Sequence, residues 1–202
     1  GMAQIAAGAA APVHQLLKAF RTGDGVPYAE YGHDLHEGQA AMTRPMLVHQ
    51  LTQEWIPAMP EIAARLQADP PARVADIGMG QGWSSIALAR GFPTIRVDGF
   101  DLDEASVAAA QANAREAGVD DRVTFQVRDA GDPELAGAYD LALAVECVHD
   151  MSDPVSVLSA MRRLVGEGGT VLIVDERVPD TFAPNGDAVE RMMYGFSVLH
   201  CL

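Results

Sequence analysis

A glycine-rich turn is the feature of this sequence with the clearest chemical content. Residues 74–82 read V-A-D-I-G-M-G-Q-G, so an apolar run that contains Asp76 leads into Gly78, Gly80 and Gly82. Glycine permits positive φ and lets a ligand lie directly on the backbone. A helix that starts behind such a turn presents free N–H groups at its N-terminus. The spacing therefore predicts a strand, a turn and a helix that together hold a nucleotide.

Two details of the turn limit the kind of nucleotide. The dinucleotide fingerprint needs Gly or Ala at its sixth position, where this chain has Trp83, so a nicotinamide oxidoreductase is disfavoured. No Gly-Lys-Ser/Thr follows, which excludes a phosphate-binding P-loop. Asp76 precedes the first glycine, and a carboxylate there repels a pyrophosphate but suits a ligand with a positive end. The alternative is a tight turn without a chemical role.

Carboxylates follow the next two predicted strands. Asp101 lies 23 residues after Gly78, where a doubly wound sheet brings the tip of the neighbouring strand beside the turn. There its carboxylate can accept hydrogen bonds from two ribose hydroxyls, although helix capping is an alternative that Asp103 fills better. Asp129 follows the third strand and either accepts from an adenine amino group or is a solvated loop acid. Asp132 is an even choice between the same two roles.

His149 is the candidate general base. It follows the fourth predicted strand, at the carboxyl edge of the sheet where open α/β folds bind ligands. An unperturbed imidazole titrates near pH ~6.5, so it can take a proton from a hydroxyl acceptor at neutral pH. A turn or helix cap formed with Asp150 is the alternative. Glu176, just after the fifth strand, is either a second group facing the site or a solvated acid.

The order of these motifs resembles the class I S-adenosylmethionine-dependent methyltransferases. The glycine turn corresponds to their motif I, and residues 139–151 and 164–173 resemble motif IV and the turn that follows it. The resemblance extends over residues 73–176, roughly half of the chain. It implies in-line transfer of a methyl group from S-adenosylmethionine to an oxygen, nitrogen or carbon atom of a small molecule, with S-adenosylhomocysteine as product. No nucleophilic triad is needed, because the sulfonium is already an activated donor.

The resemblance also implies which residues contact the cofactor. They are Asp76, Gly78, Met79, Gly80, Gly82, Asp101, Leu102, Asp129, Ala130 and Glu146. Segments 22–28 and 149–151 are similar to a bacterial subgroup of small-molecule methyltransferases, in which a winged-helix segment precedes the core. We expect that segment, and the family's last two strands, to be missing from this chain. A regulatory or interaction protein that binds the cofactor without turnover is therefore the alternative function.

Alternating strands and helices predict the fold class. Strands are expected at 73–77, 94–100, 122–127, 139–145 and 170–174, and helices at 83–90, 104–117 and 154–165. Strands separated by helices form parallel units with right-handed crossovers. We therefore expect an α/β, Rossmann-like, doubly wound parallel sheet in the order 3-2-1-4-5, truncated before strands 6 and 7.

Three segments follow from this arrangement. Residues 1–69 should form an N-terminal helical lid or dimerisation segment packed over the carboxyl edge of the sheet. Helical patterns run over 13–21 and over 37–67, the second interrupted by Pro45, Pro57 and Pro60. Residues 70–178 should form the cofactor-binding core, and residues 179–202 a C-terminal helix. Within the first segment Tyr28 and Tyr31 are either a lid over the cofactor or simple packing. His33 and His36 lack a third ligand, so no metal site is predicted.

Composition limits location and partners. The formal charge of −14 disfavours nucleic acid and anionic membrane surfaces. Two cysteines without a disulfide framework, and no long apolar span, fit a cytoplasmic protein. The open edge expected at strand 170–174 and an apolar stripe in the last helix predict a homodimer.

Overall fold

The computed structural model describes residues 1–179, 181, 183 and 186–201. The helices are α1 (Met2–Ala10), α2 (Val13–Thr22), α3 (Gly32–Met46), α4 (Pro60–Gln67), α5 (Trp83–Gly91), α6 (Glu104–Ala117), α7 (Pro154–Val165) and α8 (Ala188–Phe196). The strands are β1 (Arg73–Ile77), β2 (Arg96–Asp101), β3 (Val123–Val127), β4 (Leu141–Val145) and β5 (Thr170–Val174). Short 3-10 helices cover Tyr28–Tyr31 and Val148–Asp150, and π-helical segments cover Leu47–Trp55 and Ser197–Cys201.

The five strands form one parallel sheet in the order β3-β2-β1-β4-β5. This confirms the predicted strand order and the Rossmann-like α/β class. The strand order reverses between β1 and β4, and open α/β sheets bind ligands in the crevice outside the carboxyl ends of the strands at such a point. The fold therefore directs attention to the loops that follow β1, β2 and β4.

Both faces of the sheet are covered. In β4, Leu141 and Leu143 pack into the core shared with α4, α5 and α6, whereas Ala142 and Ala144 pack into the core beneath α7. Successive side chains of a strand point to opposite faces, so a strand buried on both sides is apolar throughout. This explains why β4 reads as a continuous apolar run.

Strand boundaries differ slightly from the sequence-based ones. β2 begins at Arg96 rather than at 94, because the Ile95 N–H donates to the Phe92 carbonyl in a turn. β4 begins two residues later than predicted, because the Tyr139 N–H donates to the Leu164 carbonyl of α7 instead of pairing with a strand. β1 and β5 have the predicted bounds.

The predicted helical segment 37–67 is interrupted at Pro57 and Pro60, as expected, but not at Pro45. Helix α3 starts earlier, at Gly32, and continues into the π-helical Leu47–Trp55 with Pro45 inside the helix. A turn follows, and Pro60 is the first residue of α4, a position where the missing N–H costs no helical hydrogen bond. The first part of α3 lies at the carboxyl edge of the sheet, but the π-helical segment packs along α5, so only part of this region covers that edge.

The last described helix begins at Ala188 and continues into the π-helical segment, within the C-terminal segment 179–202 that was expected to be helical. Asp187 caps α8, accepting from the Val189 and Glu190 N–H groups, while the Glu190 side chain accepts from the Asp187 N–H. Residues 180, 182, 184, 185 and 202 of the predicted C-terminal segment lie outside the described residues. Within the part of the chain that the structure describes, β5 is an edge strand with Ile173 42% exposed. None of the described helices has both the length and the apolar character that a membrane crossing requires.

Candidate active site

The glycine turn joins β1 to α5 and has three residues with positive φ. They are Gly78 (63°), Gly80 (53°) and Gly82 (79°). A Cβ at Gly82 would lie 2.7 Å from Phe125 Cζ and 2.9 Å from Ala110 Cβ, so this glycine allows the turn to pack against the core. A Cβ at Gly80 would meet no atom within 4 Å. Packing therefore explains Gly82, whereas Gly80 borders open space where a ligand can approach the backbone.

Asp101 lies beside the turn, as the sequence predicts. One carboxylate oxygen accepts from the Gly80 N–H at 2.8 Å and the other from the Asp103 N–H at 3.0 Å. Burial raises the pKa of Asp101, and the two N–H donors act in the opposite direction. Asp103 caps α6 by accepting from the Ser106 N–H at 2.8 Å, so the capping role falls to Asp103, and ribose binding by Asp101 stays a prediction.

Asp76 lies beneath the N-terminus of α5 and is only 1% exposed. The hydroxyls of Ser84 and Ser85 donate to one of its oxygens at 2.5 and 2.6 Å. Burial raises its pKa to about 6. In the structure Asp76 therefore fixes the start of α5 behind the turn, and a direct contact between its carboxylate and a ligand stays a prediction.

The other residues assigned to the cofactor lie in different environments. Met79 is buried in the core, whereas Leu102 is 69% exposed immediately after Asp101. Asp129 is exposed and accepts from the Gly131 N–H at 2.8 Å, and the neighbouring Ala130 is buried. These residues follow β1, β2 and β3 at one edge of the sheet, and their contacts with a ligand remain predictions. We call residues 76–82 and 101–103 the glycine-turn side of the site.

Asp132 has a structural partner. Its carboxylate pairs with Arg128 at 2.9 Å, one turn earlier in the chain, and also accepts from the Glu134 N–H at 2.8 Å. These contacts account for Asp132 within the loop after β3.

A second group of titratable side chains lies at the carboxyl ends of β4 and β5. Glu146 has φ of 54°, which is uncommon for a residue other than glycine. Burial and then the charges of Glu176 and Asp175 raise its pKa to about 7. We call residues 146–150, 175–176 and 200–201 the β4–β5 side of the site.

His149 lies between two carboxylates on the β4–β5 side. Its Nδ1 contacts the Asp175 carboxylate, and its Nε2 lies 3.5 Å from Asp150 Oδ1. Burial acts to lower the pKa of His149, but the charges of Asp150, Asp175 and Glu146 outweigh it and the pKa is raised. A larger fraction of the imidazole is therefore protonated at neutral pH, which reduces its capacity as a base. Base catalysis by His149 stays a prediction.

Tyr28 lies between the two sides. Its ring stacks on His36 at 4.3 Å, and its hydroxyl donates to Gln39 Oε1 at 2.5 Å. Burial, followed by the charges of Asp101, Asp103 and Asp150, raises the pKa of Tyr28. Tyr28 is thus held close enough to both groups of carboxylates to form a wall of the site, and the lid role remains a prediction.

Tyr31 connects the N-terminal helices to the end of the chain. Its hydroxyl donates to the Leu199 carbonyl at 2.9 Å, and its ring contacts the His200 ring at 4.9 Å between centroids. His200 Nδ1 lies 3.4 Å from Asp150 Oδ1, and Cys201 follows it in the chain. Asp175 directly follows the predicted fifth strand but was overlooked, whereas nothing in the spacing of His200 and Cys201 indicates that they approach His149 and Asp150.

Comparison with known proteins identifies the class to which this fold and site belong. The profile of the methyltransferase domain family matches residues 68–197. The chain belongs to the class I S-adenosylmethionine-dependent methyltransferase family, as the motifs predicted. The expected bacterial subgroup stays a prediction.

Individual relatives agree with this assignment. The chain is 30% identical to the 27-O-demethylrifamycin SV methyltransferase of Amycolatopsis mediterranei over 72% of this chain and 52% of that protein. It is 32% identical to the ubiquinone biosynthesis O-methyltransferase of Pseudomonas entomophila over 61% of this chain and 50% of that protein. The chain thus spans about half the length of these curated relatives.

Solved structures share the fold. A structure from Nostoc punctiforme PCC 73102, whose name proposes an O-methyltransferase, superposes with a TM-score of 0.68 at 20% identity, covering 96% of this chain and 56% of that one. The S-adenosylmethionine-dependent methyltransferase SibL in its apo form gives a TM-score of 0.61 at 19% identity, covering 94% of this chain and 57% of that one. At these identities the likeness concerns the fold.

Proposed function

We propose that this chain binds S-adenosylmethionine at the carboxyl edge of β1 and β2 and takes part in transferring its methyl group to a small-molecule acceptor. The observation that carries the proposal is the contact between the Gly80 N–H and the Asp101 carboxylate beside open space at Gly80. The contact holds Asp101, the proposed ribose-binding acid, beside the turn and next to the open space at Gly80. The methyltransferase-named relatives support the reaction and do not favour a binding protein without turnover.

The two sides of the site have different parts in the proposed reaction. The glycine-turn side holds the nucleoside and the amino acid portion of the cofactor, with Asp129 near the adenine and Leu102 against it. The β4–β5 side faces the acceptor. A sulfonium needs alignment with the acceptor atom and exclusion of water more than it needs a protein nucleophile. Tyr28, packed between the two sides, is placed to exclude that water.

A thermal-shift comparison with S-adenosylhomocysteine, NAD and ATP tests the cofactor. A ligand that binds only the folded state stabilises it by about 2.7 kcal/mol at a hundredfold excess over Kd. We expect S-adenosylhomocysteine to raise the melting temperature and NAD and ATP to leave it unchanged. A shift with NAD but not with S-adenosylhomocysteine would contradict the proposal. Label transfer from methyl-labelled S-adenosylmethionine to a panel of hydroxyl and amine acceptors then tests the reaction itself.

We further propose a homodimer. Exposed apolar side chains on α2 (Leu17, Phe20) and α8 (Val189, Met192) support an interface, because such stripes normally find a partner. Sedimentation at micromolar concentration should give twice the chain mass. A stable monomer would rule this interface out.

The cytoplasm is the proposed location, and a small molecule rather than nucleic acid the proposed partner. Cys147 and Cys201 are both free thiols, which fits a reducing compartment. The formal charge of −14 opposes binding to a phosphate backbone.

A further inference from the structure

Three different kinds of metal-binding side chain meet on the β4–β5 side. His149, Asp150 and Cys201 each offer a ligand atom, and these atoms all lie within 4.8 Å of one another. The first two follow β4 and the third comes from the π-helical segment after α8, 51 residues further along the chain. A nitrogen, an oxygen and a sulfur donor thus converge from two separate parts of the fold.

The distances fit one ion. Ligand atoms bound to a tetrahedral zinc ion at ~2.0–2.3 Å lie about 3.3–3.8 Å from one another. His149 Nε2 and Asp150 Oδ1 are 3.5 Å apart, which already matches this spacing. The largest separation in the group is at most 4.8 Å, so Cys201 must move inward by up to about 1 Å for all three atoms to bind one zinc ion.

The orientation of His149 is a second, independent observation. Its Nδ1 contacts the Asp175 carboxylate, so its Nε2 is directed at Asp150. Metal-binding histidines commonly donate their other ring N–H to a carboxylate in this way, which fixes the tautomer and makes the ligand nitrogen more basic. Asp175 stands in that outer position, and nothing in the proposed methyl transfer requires it there.

The chemical nature of the three donors selects the metal. Mg²⁺ and Ca²⁺ prefer sets made of oxygen atoms. A thiolate, an imidazole and a carboxylate suit Zn²⁺ and related transition metals. The side chains of His149 and Asp150 are 33% and 26% exposed, so an ion can enter from solvent. Three protein ligands leave a fourth position, the number found in open zinc sites.

We propose that His149, Asp150 and Cys201 form a site for Zn²⁺, with Asp175 positioning His149. On binding, the ion replaces the proton of the Cys201 thiol, and that proton passes to solvent. Nε2 of a zinc-bound His149 is no longer free to accept a proton. Zinc binding and base catalysis by His149 therefore exclude each other. Zinc would also tie the π-helical end of the described chain to the loop after β4. The proposal does not depend on the proposed methyl transfer, because metal binding is measured without cofactor or acceptor.

Cobalt titration of the chelator-treated, reduced full chain tests the site. We expect one Co²⁺ per chain, with the charge-transfer absorption that reports a thiolate bond to cobalt, and its displacement by Zn²⁺. Cys201→Ala should abolish that absorption. Cys147→Ala is the matched control. The Cys147 thiol donates to the Ile77 carbonyl and is not one of the three proposed ligands. Absorption that survives Cys201→Ala, or is lost only in Cys147→Ala, would overturn the proposal.

Two further variants separate ligand from positioning residue. His149→Ala should remove tight binding, whereas Asp175→Asn should keep the thiolate absorption and weaken affinity by about 10–100-fold. A cooperative melting transition without metal shows that each variant folds. Zn²⁺ should then raise the melting temperature of the wild type and of Cys147→Ala but not of Cys201→Ala. Equal Zn²⁺ stabilisation of all variants, or no cobalt binding to the wild type, would contradict the site. A protein that binds S-adenosylhomocysteine but no cobalt would refute the zinc site alone.

Discussion

The glycine-turn side and the β4–β5 side both contain several carboxylates at the same edge of the sheet, but the negative charge is compensated differently on the two sides. On the glycine-turn side Asp76 receives two serine hydroxyls, and Asp101 receives two backbone N–H groups. On the β4–β5 side Glu146 faces Glu176 and Asp175, and these charges raise its pKa. One side is satisfied by its own donors, and the other still has excess negative charge.

This difference shows which side is complete without a ligand. Buried carboxylates that accept hydrogen bonds hold the turn in one arrangement, which preorganises it for the cofactor. Like charges that face one another are stabilised by a proton, a metal ion or a basic acceptor. We therefore expect changes on the glycine-turn side to act on folding and cofactor affinity. Changes on the β4–β5 side should act on pH dependence, metal binding and turnover.

The largest effect is expected from Gly82→Ala. The substitution places a Cβ at positive φ, about 1–2 kcal/mol, and within 2.9 Å of two core side chains, a further ~1–3 kcal/mol. Urea unfolding should show a loss of roughly 2–5 kcal/mol. Gly80→Ala is the control, because it shares the positive φ but meets open space, and it should cost only the backbone part while weakening cofactor binding. Equal losses in the two variants would show that the turn does not pack as described.

The pH dependence of stability should reveal the unbalanced charge. The pKa of Glu146 is about 7 in the folded protein, against about 4.3 for an unfolded glutamate. Between these values the unfolded chain releases a proton that the folded chain keeps. Stability therefore falls as pH rises from about 4 to 7. Solvent screening of this half-buried group limits its share to about 1 kcal/mol. Glu146→Gln should remove that share in unfolding measured at pH 5 and pH 7.5.

Salt separates the two sides in the same experiment. Asp76 has a pKa of about 6 mainly through burial, so its contribution to the fall in stability should resist added salt. The contribution of Glu146 depends in part on the charges of Glu176 and Asp175 and should shrink as salt screens them. Glu176→Gln removes one of these charges and should reduce the contribution of Glu146, as added salt does. An identical salt response in Glu146→Gln and the wild type would contradict the comparison.

The smallest effect on stability is expected from Leu102→Ala. The side chain is 69% exposed, and surface substitutions usually change stability by less than ~0.5 kcal/mol. Its affinity should change more than its stability. We expect calorimetry to show weaker binding of S-adenosylhomocysteine to Leu102→Ala, although this variant unfolds like the wild type. Equal affinity of Leu102→Ala and the wild type for S-adenosylhomocysteine would contradict the proposed contact between Leu102 and the cofactor.

The sequence predicted the fold and the position of Asp101 beside the glycine turn, whereas the cofactor contacts of these residues stay predictions. Strand order follows from the βαβ alternation, and Asp101 meets the turn because neighbouring parallel strands end at one edge. The prediction failed at boundaries where local hydrogen bonds compete with strand pairing, as at Ile95 and Tyr139. The break of segment 37–67 at Pro57 and Pro60 was predicted, but Pro45 lies inside α3 and does not interrupt it.

The β4–β5 side was only partly accessible to sequence reasoning. His149 and Glu176 stood out because each follows a predicted strand. Asp175 follows β5 directly and was overlooked, although β4 and β5 are parallel neighbours whose carboxyl ends lie at one edge of the sheet. His200 and Cys201 could not be predicted, since their approach to the loop after β4 depends on how the π-helical segment Ser197–Cys201 folds back. Such a contact over some 50 residues of chain leaves no periodic or spacing signal.

Calorimetric titration with S-adenosylhomocysteine tests the central claim most directly. The wild type should bind, and Asp101→Ala should bind roughly tenfold to a hundredfold more weakly, because hydrogen bonds to a charged acceptor are worth ~1.5–3 kcal/mol. Asp121→Ala is the matched control, since the Asp121 side chain is 72% exposed and pairs with Arg122. It should bind like the wild type. Unchanged affinity in a folded Asp101→Ala variant, or no binding by the wild type, would contradict the account.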